Sequence, residues 1–337
     1  MLVLGIETSC DETSCALLQG DGTILSNVVS SQVEVHRPFG GVVPEIASRK
    51  HMEWIIPVLK EALQRAGCTL EDVEGVAVTQ GPGLVGSLLI GIGVARAIAY
   101  AKGLPIVGVN HLAGHIASVY LDDPTFRPPF VALVASGGHT ALYHVAEEEK
   151  VGLLGQTRDD AAGEAFDKVA KLLGLDYPGG PAIERASQGG DPSAVRFPKG
   201  LGRKEGLEFS FSGLKTAVVN YLKKEALLPL EPQRLSDVAA SFQEAVVDVL
   251  AEKTLKAARK CKVKRIAVTG GVACNGRLRK KLVLRAQEEG FEVRFPAPSL
   301  CTDNAAMIAR AGLKALERGE GKSLGPMEAR SRWQLGS

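Results

Sequence analysis

No two cysteines in this sequence stand in C-x-x-C spacing. The six present (Cys10, Cys15, Cys68, Cys261, Cys274 and Cys301) are scattered, which argues against a zinc knuckle or a secreted disulfide framework and suggests reduced, mostly buried thiols. The pattern of a signal peptide is missing as well: Met1 to Ile6 is apolar but has no basic start, and Glu7, Asp11 and Glu12 follow at once. No low-complexity tract is long enough to form a disordered tail. The longest apolar stretch, Gly81 to Ala101, is rich in glycine and carries Arg96, so it predicts a buried helix rather than a bilayer span. These absences together predict a cytoplasmic protein without a membrane anchor.

What is present suits two domains. A chain of 337 residues, 45% hydrophobic and 23% charged, is too long for one ordinary core. Leu2 to Thr8 reads as a strand, Ser9-Cys10-Asp11-Glu12 as a polar turn, Thr13 to Leu18 and Ile24 to Ser30 as two further strands. A helix from Pro44 to Ala66, ended by Gly67, and the strand Gly75 to Thr79 follow. Near residue 129 the pattern begins again. Phe130 to Ala135 predicts a strand, Ser136-Gly137-Gly138-His139 a tight turn, Thr140 to Val145 and Val151 to Gly155 two more strands. A duplicated module of this kind is what the sugar kinase, Hsp70 and actin architecture would show: α/β, two actin-like (RNase H-like) domains with a ligand cleft between them.

In such a fold the turns Ser9 to Thr13 and Ser136 to Thr140 would present backbone N–H groups to phosphate, and short residues there let an anion approach the amides. A third polar loop, Thr269 to Asn275, follows the strand Arg265 to Val268 and opens a helix that a ribose or base could approach.

The sharpest constellation is His111-Leu112-Ala113-Gly114-His115. Two histidines at i and i+4 share a helix face, and neutral imidazoles suit zinc or ferrous iron. Two polar residues on a solvated face is the plain alternative. A zinc protease of the H-E-x-x-H type would need a glutamate where Leu112 stands, so the hydrolytic base is missing. Asp303 is the best candidate for a third ligand, set against the common role of an Asp at a helix start, which is to cap it. Gly81-Pro82-Gly83-Leu84-Val85-Gly86 matches G-x-G-x-x-G, but Ala101 to Asn110 lacks the acid a dinucleotide ribose requires. It reads as a tight turn allowing close helix–strand contact. A G-x-x-x-x-G-K-[ST] motif does not occur, which argues against a P-loop NTPase.

Asp159 to Lys168 begins a helix whose first acids, Asp159 and Asp160, read as caps. Asp167 lies deeper, where it is expected to cap nothing and to be open to a ligand hydroxyl or ammonium. Glu184 lies one helical turn beyond the stiff turn Tyr177 to Pro181 and could face a ligand too. Net charge is only +2, yet Lys253 to Arg285 holds twelve Lys or Arg and no acid. This stretch reads either as a nucleic-acid face or as a solvated helix pair.

Taken together, Gly5 to Thr13, Asn110 to His115, Ser136 to Thr140, Asp159 to Lys168, Tyr177 to Pro181, Phe209 to Thr216, Thr269 to Asn275 and Asp303 to Met307 resemble the bacterial TsaD family. These are threonylcarbamoyl transferases once described as glycoprotein endopeptidases. The resemblance implies an actin-like domain over residues 1–128, with a C-terminal helix at about 303–320 packing back on it, and a second over 129–302. It implies transfer of threonylcarbamoyl from threonylcarbamoyl-adenylate to N6 of adenosine 37 in tRNAs reading codons that begin with A, with release of AMP. It also implies one divalent metal, Fe2+ or Zn2+, bridging the lobes on His111, His115 and Asp303. Substrate contacts carry over to Val134, Ala135, Ser136, Gly137, Gly138, Asp167, Gly180, Glu184 and Asn275, and Asp11 or Glu12 is the candidate for accepting the amine proton. Implied partners are tRNA, a TsaB-like paralogue, a TsaE-like small ATPase and a TsaC-like synthase. An ATP-dependent kinase of the actin-like superfamily is the competing enzyme class, and a nucleotide-binding assembly module the non-enzyme one.

Overall fold

The computed structural model describes residues 1–199, 206–224, 230–321 and 325–336. The segments 200–205, 225–229 and 322–324 and the last residue, Ser337, thus lie outside the described residues. The chain divides into two compact units, the first Met1–Phe126 with Ser299–Leu335 and the second Arg127–Pro298 with Gly336.

In the first unit, β1 (Leu2–Glu7), β2 (Glu12–Gln19) and β3 (Ile24–Ser31) form an antiparallel meander, and β4 (Gly75–Gly81) and β5 (Ile106–Asn110) extend it in parallel. The sheet order is β3-β2-β1-β4-β5. β1 is central and nearly continuously buried, which is why its sequence, LVLGIE, lacks the alternation of a half-exposed strand. The short helix α1 (Val33–His36) leads to α2 (Pro44–Ala66), which starts with Pro44 in its first turn and ends at Gly67 in the left-handed region. Ala47, His51, Ile55, Val58, Leu59 and Ala62 recur at helical spacing and are buried. With Leu88 and Ile92 of α3 (Val85–Lys102) they pack on Leu4, Ile6, Cys15 and Leu17. The opposite face, with Val3, Ala77, Val107 and Val109, is covered by α11 (Ala305–Glu317), whose Met307, Ile308 and Leu313 are buried there. Each such side chain contributes roughly 1.5–3 kcal/mol by burial.

α3 does not behave as the buried helix its sequence predicts. One third of it is buried, and Val85, Leu89 and Tyr100 are exposed. It is long and apolar enough to cross a membrane by length and composition, but its inner face belongs to the core of this unit.

The second unit repeats the plan. β6 (Phe130–Ala135), β7 (Thr140–Glu147) and β8 (Lys150–Gln156) form the meander, and β9 (Arg265–Thr269) and β10 (Glu292–Arg294) the parallel extension, in the order β10-β9-β6-β7-β8. Between them come α5 (Ala162–Leu172), α6 (Gly179–Ala186), α7 (Ser212–Lys224), the 30-residue α8 (Pro232–Cys261) and α9 (Gly276–Glu288). Phe166 of α5 meets Phe242 of α8 edge to face, with ring centroids 5.4 Å apart, inside the core.

Candidate active site

β5 ends at Asn110, whose side-chain Oδ1 accepts hydrogen bonds from Leu112 N (2.9 Å) and Ala113 N (3.4 Å). This N-cap starts α4 (His111–Asp122) at the first histidine and places the second one turn later. Both imidazoles are buried, with ring centroids 4.7 Å apart. Asp303 reaches them from the loop between α10 (Pro298–Cys301) and α11, its Oδ1 lying 3.1 Å from His115 Nε2 and 3.5 Å from His111 Nε2. The expected cap role of Asp303 falls instead to its neighbour. Asn304 Oδ1 accepts from Met307 N (3.1 Å) while its Nδ2 donates to Thr302 O (2.8 Å), so the Asp303 carboxylate faces the histidines.

One ligand atom from each of the three residues lies within 4.8 Å of the others. Donor atoms of a tetrahedral site with bonds near 2.1 Å stand about 3.4 Å apart, so a small contraction suffices. Among the described residues Nδ1 of the buried His115 has no hydrogen-bond partner, and its Nε2 faces the Asp303 carboxylate, an arrangement a metal would complete. The donor chemistry fits a borderline divalent ion. His111, His115 and Asp303 all belong to the first unit, so an ion on this triad would sit on that unit, and the expected bridging of two lobes by these three side chains is corrected.

Glu7, at the end of β1, completes the surroundings and is absent from the residues singled out by sequence. Its Oε2 accepts from His111 Nδ1 (3.0 Å) and from Thr79 Oγ1 (2.6 Å). An acceptor-only carboxylate on Nδ1 orients the ring and directs Nε2 toward Asp303. Burial lowers the affinity of His111 for a proton, but the charges of Asp303 and Glu7 overcome it and raise its pKa to about 9. His111 would have to give up that proton to serve as a metal ligand, so binding there would depend on pH. Burial works to raise Glu7, yet the charge and hydrogen bond of His111, with Thr79, hold its carboxyl below the usual range. Asp11 is buried in the turn between β1 and β2, and beside it burial and the charges of Asp11 and Asp303 push Glu12 well above the usual carboxylate range. The buried His51 of α2 braces this turn: Nε2 donates to Cys10 O (2.9 Å) and Nδ1 accepts from Thr13 Oγ1 (2.8 Å).

The second unit gathers the remaining candidates. In the turn after β6, Ser136 N donates to His139 O (2.8 Å) and His139 N to Ser136 Oγ (3.2 Å), leaving Gly137 and Gly138 exposed. Gly163 at the start of α5 lies against Ser136 O and Gly137, and Gly270, with φ of 89°, lies against Ala135 O, where a side chain would collide. Val134 and Ala135 are buried strand residues, so they support this turn from below. Asp167 does cap a helix, contrary to expectation: its Oδ1 accepts from Gly179 N (2.7 Å) at the start of α6, beside Gly180. Glu184 Oε1 accepts from Gly276 N (2.8 Å), and Asn275 Oδ1 from Leu278 N (3.0 Å), so both serve the N-terminus of α9. Asp159 and Asp160 do not cap α5. Asp159 accepts from Phe211 N (2.8 Å) and Ser212 N (3.2 Å) at the start of α7, and Asp160 Oδ1 from Lys168 Nζ (2.7 Å). The motif Phe209 to Thr216 is thereby tied to the start of the α5 region.

A family profile described as tRNA N6-adenosine threonylcarbamoyltransferase matches residues 23–310. The chain belongs to this family. A relative of that name from Syntrophus aciditrophicus is 53% identical over 335 residues, covering 99% of this chain and 98% of its own length. Another from Geobacter sulfurreducens is 55% identical over 335 residues, covering 99% and 97%. Solved structures show the fold alone at this distance. The (R)-2-hydroxyglutaryl-CoA dehydratase component A of Acidaminococcus fermentans superposes with a TM-score of 0.57 at 15% identity, over 95% of this chain and 99% of that one. HypF of T. kodakarensis gives 0.62 at 15% identity, over 95% of this chain and 48% of its own. Both are two-sheet α/β proteins of the actin-like kind, as the duplicated meander of this threonylcarbamoyltransferase-family chain predicts.

Proposed function

We propose that the chain transfers the threonylcarbamoyl group of threonylcarbamoyl-adenylate to N6 of adenosine 37 in tRNAs reading codons that begin with A, releasing AMP. The observation that carries this reading is the match to relatives of that name, more than half identical over nearly the whole length of both chains.

The donor is a mixed carbamic–phosphoric anhydride, and its carbonyl is attacked by a weakly nucleophilic exocyclic amine. Negative charge develops on the carbonyl oxygen and on the departing phosphate. His111, His115 and Asp303 would hold one divalent ion, Fe2+ or Zn2+, which supplies Lewis-acid stabilisation to that charge. The exposed backbone of Gly137 and Gly138 suits the adenylate phosphate, and the starts of α5, α6 and α9, linked through Asp167 and Glu184, suit its nucleoside. In this reading Asp167, Gly180, Glu184 and Asn275 act through the helix N-termini they cap or form. Asp11 and Glu12 are the carboxylates assigned to the amine's proton.

Support for a docking paralogue comes from the first unit, where Met52 and Ile56 on α2 and Leu89 and Tyr100 on α3 are exposed apolar side chains. The reading includes a TsaB-like paralogue there, a TsaE-like ATPase, a TsaC-like synthase supplying the adenylate, and a cytoplasmic location with the tRNA. The test is reconstitution with defined metals, threonylcarbamoyl-adenylate and tRNA, with and without the paralogue. The expected product is metal-dependent threonylcarbamoyladenosine, detected by mass spectrometry of nucleosides. No modified nucleoside under any of these conditions overturns the reading.

A further inference from the structure

Residues 325–335 run as a strap without helix or strand along the first unit. Its inward side chains, Met327 and Ala329, pack against the core beneath α2 and α3, while Pro326, Glu328 and Arg330 face out. The backbone fastens it. Arg330 N donates to Gln80 O (2.8 Å), Gln80 Nε2 to Glu328 O (2.9 Å) and Gly83 N to Ser331 O (3.4 Å). The carbonyl of Arg330 occupies the place a side chain would take at Gly81, whose φ of 154° also favours glycine. This explains Gly81, while Gly83 packs against Ser9 and Gly86 against Ser48, so close packing accounts for the glycines of the turn. The strap then reaches the metal-binding helix: Asn110 Nδ2 donates to Trp333 O (3.1 Å) with the same amide whose Oδ1 caps α4 one residue before His111.

Because main-chain groups hold the strap, its charged side chains are left for other work. Arg330 and Arg332 are exposed, and among the described residues no carboxylate pairs with either. The Arg330 guanidinium lies 4.8 Å from the centroid of the Trp333 ring. The basic stretch of the second unit differs. There Arg259 pairs with Glu289, Arg265 with Glu292, Arg277 with Glu244, and Lys281 with both Glu244 and Asp248. Four of the twelve cations of that stretch are thus already paired with carboxylates.

We propose that the strap is a tRNA contact, with Arg330 and Arg332 on backbone phosphates and Trp333 against an unstacked base or ribose. This rests on the transfer reading above, which requires an adenosine from a single-stranded loop to approach the His111–His115 helix and so brings its flanking phosphates past Asn110. Guanidinium and indole together match that ligand, since loop RNA is recognised by phosphate pairing and by stacking of splayed bases.

The experiment compares full-length wild type, Arg330→Gln/Arg332→Gln, Trp333→Leu and a control, Lys260→Gln/Lys280→Gln, in tRNA binding and in reconstituted transfer across a salt series. The arginine variant is expected to raise Kd and the KM for tRNA about tenfold, and to flatten log Kd against log salt by about 1.4, near 0.7 for each lost contact to single-stranded RNA. Trp333→Leu is expected to weaken binding about fivefold with its salt slope kept, and the control to change little. Bound metal and thermal unfolding should stay at wild-type values, because the strap's fastening is main-chain. Wild-type tRNA binding that the arginine variant retains in full, with the same slope, overturns the strap proposal whatever happens to transfer. Wild type that binds tRNA through the arginines yet forms no product overturns the transfer reading and leaves the contact standing. Wild type that binds no tRNA sinks both.

Discussion

The two units place the same turn, between the first and second strands of a meander, and fill it with opposite chemistry. In the first unit the turn after β1 carries Asp11, is followed by Glu12, and shares its surroundings with Glu7, Asp303 and two histidines. In the second the corresponding turn offers Gly137 and Gly138 with exposed backbone and no charged side chain before His139. Strand order is identical, so topology supplies a slot and residue type decides its polarity. A slot crowded with carboxylates attracts a cation, whereas one made of amides attracts an anion.

The largest effect expected from breaking this contrast is at the cationic end. His111→Ala/His115→Ala should lose stoichiometric metal, measured by elemental analysis, and lose transfer by at least 1000-fold, about 4 kcal/mol. Far-UV circular dichroism should stay unchanged. Glu7→Gln is the graded version, weakening metal affinity about 10- to 100-fold in chelator competition, because His111 loses its charged partner. Metal retained at wild-type affinity in the double variant would end the assignment. At the anionic end, Gly137→Asp makes the second turn resemble the first. A carboxylate there should raise the KM for the adenylate about 10- to 100-fold, from 1–3 kcal/mol of repulsion at an exposed site, and leave bound metal unchanged. An unaltered KM would move the phosphate elsewhere.

Much of this contrast is legible in the sequence. Both meanders, the helix Pro44–Ala66 and the histidine pair follow from local pattern, because short apolar runs broken by polar turns, terminal Pro and Gly, and i, i+4 spacing are short-range signals. What escapes is set by partners far away in the chain. Glu7 looks like the polar end of an apolar strand until Thr79 and His111 meet it, over sequence separations of 72 and 104 residues. Asp167 and Glu184 look like free ligand carboxylates, but each caps a helix other than its own. Asp159 likewise reads as a cap for α5, although its donors come from Phe211 and Ser212. A helix start announces that it needs an acceptor; it does not say which segment provides one. The strap escapes for another reason, since a segment without helix or strand, held by its backbone, leaves little periodic trace.

The basic stretch Lys253 to Arg285 yields the smallest expected effect and separates structural charge from recognition charge. Arg277 grips Glu244 with Nε and Nη2, at 2.6 and 2.9 Å, and Lys281 joins them. Burial works to raise the Glu244 carboxyl, but hydrogen bonds and charges from Arg277 and Lys281 prevail and hold it at about 2, against an ordinary value of 4.5. A carboxylate depressed on folding contributes stability above its unfolded pKa and loses it as pH falls through the folded value. Glu244→Gln should therefore destabilise the protein by about 1 kcal/mol at neutral pH, allowing for solvent screening of a partly exposed cluster. The gap between variant and wild type should close as pH is lowered from about 4.5 toward 2. Urea unfolding at several pH values measures it, and a gap that persists or widens in acid would show that Glu244 is not the group holding these cations.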